Sequence, residues 1–174
     1  MKKMKRLFVL LFLPLFTYSQ TIHYKKDEIL YKGDVNMVGF SAAEMTARLQ
    51  HALQVAVEES KATMEVPTSG NSLVSSGEMK LTSPYHIKMS LLFNLQLTPT
   101  ANGYKYQIDS VKVQEAKRYS KTTVIPSKEL LEGIEETGLA AIETEHLLNE
   151  IDLRLQKLLT ILEREARIGK PEEK

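Results

Sequence analysis

The chain has 174 residues, a formal net charge of +1, and neither cysteine nor tryptophan. Without cysteine it has no disulfide, no thiolate metal site and no cysteine nucleophile. The charge is uneven, because residues 1–19 carry four bases and no acid, whereas the remaining residues carry 19 bases and 22 acids. The slightly acidic remainder argues against a nucleic-acid partner, since phosphate contacts require a basic surface.

Residues 1–19 have the three parts of a secretory signal peptide. A basic stretch ends at Arg6, ten apolar residues follow from Leu7, and Ser19 is a small residue before a predicted cleavage at Gln20. The apolar run is shorter than the ~20 residues that span a bilayer. We therefore expect an exported protein, periplasmic or secreted, that does not span the membrane after the signal is removed. An uncleaved N-terminal anchor is the alternative.

The mature part begins with a predicted strand region over residues 21–40, which breaks at Gly33 and its two neighbours. A helix follows, because Ser41 and Glu44 have the spacing of a capping box and apolar residues then recur at helical intervals. No glycine or proline interrupts the stretch 41–60. The pattern predicts an amphipathic helix with one buried stripe.

Alternation of apolar and polar residues predicts the central strands. Over residues 85–97 the odd-numbered side chains are apolar and the even-numbered ones are mostly polar. One face of this strand is therefore predicted to be buried, with Ile87, Leu91 and Phe93 on it, and the other face to be wet. Strands are also predicted at 63–67 and 73–81. In the second of these, a glycine at position 77 indicates a bulge or a close approach.

A hairpin loop at Asn102 and Gly103 leads to the last strand of the predicted sheet. Its alternation slips after Ile108, which predicts a bulge near Asp109 and Ser110. Helix returns near Lys128, and a strongly helical pattern runs over residues 139–168. The predicted order is β-α-β-β-β-β-α, an α+β fold in which helices cover one face of an antiparallel sheet.

The predicted organisation has four parts. Residues 1–19 are a signal peptide, 20–126 an α+β sheet domain, 127–168 a C-terminal helical extension, and 169–174 a disordered tail.

Four segments together carry a family resemblance: the helix from Ser41 to Glu58, the glycine-containing strand Leu73–Leu81, the alternating strand Tyr85–Leu97, and the hairpin Asn102-Gly103-Tyr104-Lys105-Tyr106. They resemble DUF4468, a secreted family of unknown function from Bacteroidota, over residues 28–118. The resemblance implies a fold like that of the TATA-binding protein (TBP), with a curved antiparallel sheet and helices on its convex side. The long helix after Leu139 is additional to that pattern. The family brings no known catalytic or binding residues to transfer.

The motifs for common catalytic sites are missing from the sequence. There is no Gly-x-Ser-x-Gly nucleophile elbow. The glycines at 133 and 138 have the spacing of a phosphate loop, but Leu139 stands where that motif needs lysine. No two of the four histidines are three to five residues apart, so no helical pair of metal ligands exists. We therefore expect a protein that is not an enzyme and has no cofactor or metal.

The polar face of the predicted sheet is the candidate binding surface. Its members are polar side chains that point away from the core or lie on the next strand: His86, Lys88, Ser90, Asn94, Gln96, Lys105 and Gln107. Residues 80–121 hold seven bases and two acids, whereas residues 127–150 hold seven glutamates and one lysine. The basic segment suits an envelope protein or an anionic envelope component as partner. Charge complementarity between sheet and helix within one chain, or plain solubility, is the alternative.

These observations favour a non-catalytic exported binding module of unknown ligand. The alternative is an assembly protein that forms homo-oligomers through its C-terminal helix as a coiled coil. A helix over residues 139–168 is about 45 Å long, longer than ordinary strands of about 17–20 Å. Its far end is therefore predicted to overhang the sheet and to expose five apolar side chains: Leu155, Leu158, Leu159, Ile161 and Leu162. Such a patch requires the helix either to fold back on the first helix or to pair with a second copy.

We predict that export removes residues 1–19. The intact mass of the exported protein should correspond to a chain that begins at Gln20. A Ser19→Tyr variant, which puts a bulky residue before the cleavage point, should keep the signal or process it slowly. An exported wild-type chain that retains Met1 would contradict the prediction.

Overall fold

The computed structural model describes residues 22–25, 28–67, 70–82, 88–116, 122–133 and 139–169. Its elements, in chain order, are β1 (Ile22–Lys25), β2 (Glu28–Asn36), α1 (Ala42–Ser60), β3 (Thr63–Met64), β4 (Leu73–Thr82), β5 (Lys88–Thr100), β6 (Gly103–Ala116), β7 (Thr123–Pro126), α2 (Ser127–Glu132) and α3 (Leu139–Ile168). The predicted signal peptide, His86 and Ile87, the bases at 117, 118 and 121, and the tail beyond Gly169 lie outside the described residues.

The seven described strands form one antiparallel sheet with the order β1-β2-β6-β5-β4-β3. The long hairpin of β5 and β6 is its centre. β7 pairs with the second half of β6, on the side where β2 pairs with the first half. The predicted fold class, α+β with a curved antiparallel sheet and a long C-terminal helix, is confirmed.

The hydrophobic core lies between one face of this sheet and the helices. On β5 the odd-numbered residues from Leu91 to Leu97 are buried, whereas Lys88 and Gln96 are exposed. The predicted register of this strand is therefore confirmed for its described part. α1 begins at the predicted capping box, in which the Ser41 amide donates to Glu44 Oε2 at 2.7 Å. That hydrogen bond lowers the pKa of the Glu44 carboxyl.

A bulge in β6 shifts the alternation of buried and exposed residues by one position, after which the alternation continues. One residue of β5, Phe93, lies opposite two residues of β6, Ser110 and Val111. Ser110 has a positive φ of 55°, as an extra bulge residue often requires. The extra residue turns Val111 and Val113 to the core and Lys112 to the other face. The predicted bulge is confirmed.

Two glycines make room for aromatic rings. The predicted break at Gly33 is wrong, because β2 continues through it. A Cβ at Gly33 would lie 2.6 Å from the Tyr106 hydroxyl, so the glycine lets that ring lie across the strand. A Cβ at Gly77 would lie 2.5 Å from both Met64 Cε and Phe93 Cζ. The pairing of β4 with β5 is continuous there, so Gly77 marks a close approach and not a bulge.

Three short elements refine the prediction: β1 is a separate strand within the predicted strand region 21–40, α2 is a separate helix where a helix was predicted to begin near Lys128, and β7 was not predicted. Each has six residues or fewer. β1 and β7 are held by pairing with β2 and β6. α2 is anchored by Ser127, whose hydroxyl donates to the Val111 carbonyl, and by the buried Leu130. Their stability comes from these partners, and so their own sequences carry little periodic signal.

The course of α3 corrects the expectation of an overhanging helix. All five apolar side chains that were predicted to overhang are buried within the chain, none of them more than 5% exposed. α3 packs along α1, and both helices share one core with the sheet. The alternative in which α3 folds back on the first helix therefore accounts for the burial of these five side chains. The physical reason is that α1 gives α3 a second apolar surface beside the sheet.

Polar contacts fasten α3 along its length. The Thr82 amide donates to Glu150 Oε1 at 3.0 Å, and the Tyr31 hydroxyl donates to Asp152 Oδ1 at 3.1 Å. Near the other end, Arg48 of α1 donates from Nη1 to the Ala166 carbonyl at 3.2 Å. The described part of α3 is thereby tied to β4, to β2 and to α1.

The register of β5 generates a stability prediction with a matched control. Leu91→Asp should lower the free energy of unfolding by about 3 kcal/mol or more, because it buries an unpaired carboxylate. Leu92→Asp, the same change one residue later on the opposite face, should cost about 1 kcal/mol or less. Denaturant unfolding of both variants measures the difference. Equal losses would refute the register.

Candidate functional site

Six of the seven candidate residues lie on one surface, which we call the open face. The open face is the side of the sheet opposite the core. The six described candidates on it are Lys88, Ser90, Asn94, Gln96, Lys105 and Gln107, all exposed or half-buried. The seventh, His86, lies outside the described residues. The helices α1 and α3 contribute to the core on the other side, so they leave the open face uncovered.

The middle of the open face is a set of hydroxyl and amide side chains bonded to one another. Ser76 Oγ donates to Asn94 Oδ1 at 2.8 Å across the β4–β5 pair. Gln107 Nε2 donates to Asp109 Oδ2 at 2.8 Å along β6. These groups hold one another in place, and the Asp109 carboxylate already has a donor. The middle of the face is thus polar, and the Asp109 carboxylate gives it a negative charge.

One end of the open face is basic. We call Lys80, Lys88 and Lys112 the lysine cluster, since they surround Ser90 on three neighbouring strands. Lys80 is the direct cross-strand partner of Ser90, and Lys112 lies diagonally across from it on β6. Direct and diagonal neighbours in a sheet are about 5–8 Å apart at Cβ. Three like charges at this spacing make a local positive potential.

The lysine cluster has no ion-pair partner among the described residues, unlike the lysine at the other end of the face. Lys105 Nζ lies 3.6 Å from Asp34 Oδ1. Three described carboxylates lie near the cluster. Glu78 is two residues before Lys80 on β4, and Asp109 is the next open-face residue beside Lys112 across the bulge of β6. Glu150 accepts from the amide of Thr82, the cross-strand partner of Lys88. The three ammonium groups therefore form no ion pair with these carboxylates, which lower the local positive potential.

Sequence reasoning missed several open-face residues. Lys80, Ser76 and Lys112 are exposed there, together with Lys32 on β2. The alternation of residues along β4 was sufficient to place Lys80 and Ser76 on the open face. Lys112 needed the bulge as well, because a regular strand would have turned it inward.

The tyrosines of β2 and β6 point to the core side and take no part in the open face. Tyr106 is buried against α3, and burial raises the pKa of its hydroxyl, with the Glu163 and Asp34 carboxylates adding to the rise. A phenol with a raised pKa stays neutral at physiological pH and acts as a hydrogen-bond donor. The Tyr106 hydroxyl is therefore a neutral group within the core.

A second surface lies along the outer side of α3. A shallow groove of about 430 Å³ is lined there by His146, Asn149, Glu150, Leu153, Arg154 and Lys157. Leu153 is 68% exposed, and Ile142, eleven residues earlier on the same side of the helix, is 65% exposed.

Within the described ranges no helix is long and apolar enough to cross a membrane. No group of three or more metal-binding side chains occurs in that same part of the chain.

Two solved structures share this fold. A TBP-like protein from Parabacteroides distasonis superposes with a TM-score of 0.67 at 12% sequence identity, over 86% of this chain and 99% of that one. A DUF4468 family protein from Bacteroides ovatus superposes with a TM-score of 0.53 at 10% identity, over 88% of this chain and 93% of that one. No protein-family model and no curated protein matches the chain. At this identity the likeness shows the fold, which is TBP-like, as the resemblance to DUF4468 implied.

Proposed function

We propose that the protein is an exported, non-catalytic binding module whose open face binds an acidic partner. The lysine cluster carries this proposal, because its three cations have no ion pair with described residues and stand on a face that α1 and α3 leave open. The signal-like residues 1–19 support export to the periplasm or the medium. The sequence lacks a nucleophile elbow and a phosphate loop, which supports a binding role over catalysis.

The chemistry of the open face favours carboxylates or phosphates over stacked rings. None of its described side chains is aromatic, and flat ligands such as bases are usually held by stacking on aromatic rings. Lysine is a compact charge with three donors, and Ser90 and Gln114 between the lysines add neutral hydrogen-bonding groups. An acidic envelope protein or an anionic envelope component matches this set.

We predict that the mature protein binds poly-L-glutamate through the lysine cluster. A Lys88→Gln/Lys112→Gln variant should bind at least about tenfold more weakly, because charged contacts at an interface contribute strongly to encounter and affinity. The control is Lys61→Gln/Lys128→Gln, which removes the same charge from exposed positions away from the open face. Fluorescence anisotropy with labelled polymer measures both. An equal loss in the two variants would mean that net charge, and not this face, attracts the polymer.

An assembly protein that pairs through α3 is the second candidate. The larger apolar stripe of α3 is buried in the core, so it is not available for pairing with a second copy. The observation that supports this candidate is the exposure of Ile142 and Leu153 on the outer side of the helix. Two copies of this side packed together would form a closed dimer with two-fold symmetry.

The second candidate predicts a dimer that depends on Leu153. Leu153→Lys should give a monomer in light scattering, whereas Val74→Lys, the same kind of change at an exposed apolar residue on the open face of β4, should not. Truncation after Asn149 is unsuitable as a test, because it would remove core residues such as Leu158. A wild-type chain that is monomeric at tens of micromolar, or a dimer that survives Leu153→Lys, excludes pairing through this side of α3.

A further inference from the structure

We infer that the lysine cluster binds a phosphate monoester centred on Ser90. The inference rests on the proposed function, since it names the anionic group that the partner presents to the open face. It is carried by the set of side chains around Ser90, which belongs to β5, the strand between β4 and β6.

Ser90 is a short side chain surrounded by longer ones. It is half-buried on the open face, and its direct cross-strand partners are Lys80 of β4 and Gln114 of β6. Lys88 and Leu92 lie before and after it on the same face of β5. Among the described residues the Ser90 hydroxyl has no hydrogen-bond partner. Ser90 therefore marks a low point of the face with a hydroxyl that a ligand can reach.

The charge around Ser90 matches that of a phosphate monoester. Its described neighbours on the open face include the three lysines and one acid, Glu78, which together leave a net charge of +2. Asp109 lies farther along β6, beyond the bulge. Glu150 already accepts two hydrogen bonds, one of them from a guanidinium. A phosphate monoester carries about −1.5 to −2 at pH 7, whereas a single carboxylate carries one negative charge.

Three cations around one point also suit three equivalent oxygens. Direct and diagonal neighbours on a sheet are about 5–8 Å apart at Cβ, within reach of long side chains. Lys80, Lys88 and Lys112 can therefore each donate to a different terminal oxygen of one phosphate above Ser90. The Ser90 hydroxyl and the Gln114 amide add neutral donors. A carboxylate has only two oxygens and leaves the third ammonium group without an oxygen of its own.

Three small ligands separate this arrangement from charge alone. Glycerol phosphate is a monoester, dimethyl phosphate is a tetrahedral anion with a single charge, and succinate carries its two charges on separate carboxylates. Isothermal titration calorimetry on the mature protein should show that glycerol phosphate binds at least about tenfold more tightly than either, because only this ligand brings a compact dianion to the lysines.

The pH dependence gives a second readout. A phosphate monoester takes up a second proton near about pH 6, so its affinity should fall several-fold between about pH 7.5 and about pH 5. Lysine and glutamate side chains keep their ordinary charges over most of this range. Dimethyl phosphate has no second proton to take up, and its affinity should stay the same. It therefore controls for any change in the protein.

Three variants test the position of the site. Ser90→Leu fills the centre without changing a charge, so it should weaken glycerol phosphate at least about tenfold and poly-L-glutamate less than about twofold, because the hydroxyl donor is lost and the space is taken. Lys88→Gln should weaken both ligands. Lys105→Gln, at the other end of the open face, is the matched control and should bind glycerol phosphate as wild type does. Thermal unfolding confirms that each variant is folded.

Vesicles distinguish a free ester from a lipid headgroup. Phosphatidic acid has a monoester headgroup and phosphatidylglycerol a diester, and the two are compared in phosphatidylcholine vesicles of equal surface charge. Cosedimentation that prefers phosphatidic acid, and that Ser90→Leu abolishes, supports the inference with a membrane as the source. Binding of glycerol phosphate without such a preference supports it with a soluble ester as the source.

The two proposals fail in different ways. Equal affinity of the wild-type chain for the monoester, the diester and succinate overturns the inference, as does equal monoester binding by wild type and Ser90→Leu. If such a chain still binds poly-L-glutamate through the lysine cluster, the proposed function stands. A chain that binds none of these anions overturns both.

Discussion

The packing of α3 beside α1 on one face of the sheet is the contact on which the rest of the structure depends. The four long strands, β2, β6, β5 and β4, are together about 19 Å wide, whereas one helix covers about 10 Å. α1 alone would leave half of the apolar face in water. With α3 beside it, the buried side chains of both helices and of the sheet form one core. The opposite face of the sheet is left open for the same reason, because both long helices are committed to the core.

A buried cation stabilises this arrangement at the end of α3. Arg48 is 8% exposed, and its guanidinium stacks 4.1 Å from the centre of the Phe40 ring while donating to the Ala166 carbonyl. That carbonyl belongs to the last turn of α3, whose carbonyl groups lack partners within the helix. A cation there also interacts favourably with the helix dipole. Arg48 thus links α1, α3 and the loop before α1 in one contact, and it fixes the position of α3 along α1.

Much of this fold could be predicted from local patterns. Strict alternation identified the buried face of β5, the Ser41 capping box identified the start of α1, and the helical pattern over 139–168 matches α3. The predictions that were wrong concerned features that depend on residues far away in the chain. Gly33 looked like a break because the ring that it accommodates, Tyr106, comes much later. The apolar stripe of α3 looked unpartnered because its partner, α1, lies about a hundred residues earlier. Local periodicity cannot show which of two surfaces a helix will cover.

The candidate site also combines features that local patterns predict with features that depend on distant residues. Lys88 and Gln96 could be placed on the open face from one strand alone, whereas Lys112 reached it through a bulge that shifts the alternation by one residue. The three lysines come from three strands, and their grouping is a property of the register between strands. A count of charges along the chain shows a basic segment and an acidic segment, but only the fold shows how they are arranged.

That arrangement bears on whether the segregated charges pair within one chain. If the charges served intramolecular pairing, the lysine cluster would face the glutamates of α3. In the structure the open face and the outer side of α3 point away from each other, and the ion pairs of α3 are made with near neighbours and with Glu59 of α1. Charges of both signs occur on each surface: Glu78 and Asp109 lie beside the lysine cluster, and Lys157 lies on the outer side of α3. The fold thus separates like charges of the basic segment onto neighbouring strands and sets carboxylates from other parts of the chain between them, an arrangement that the order of charges along the sequence does not reveal.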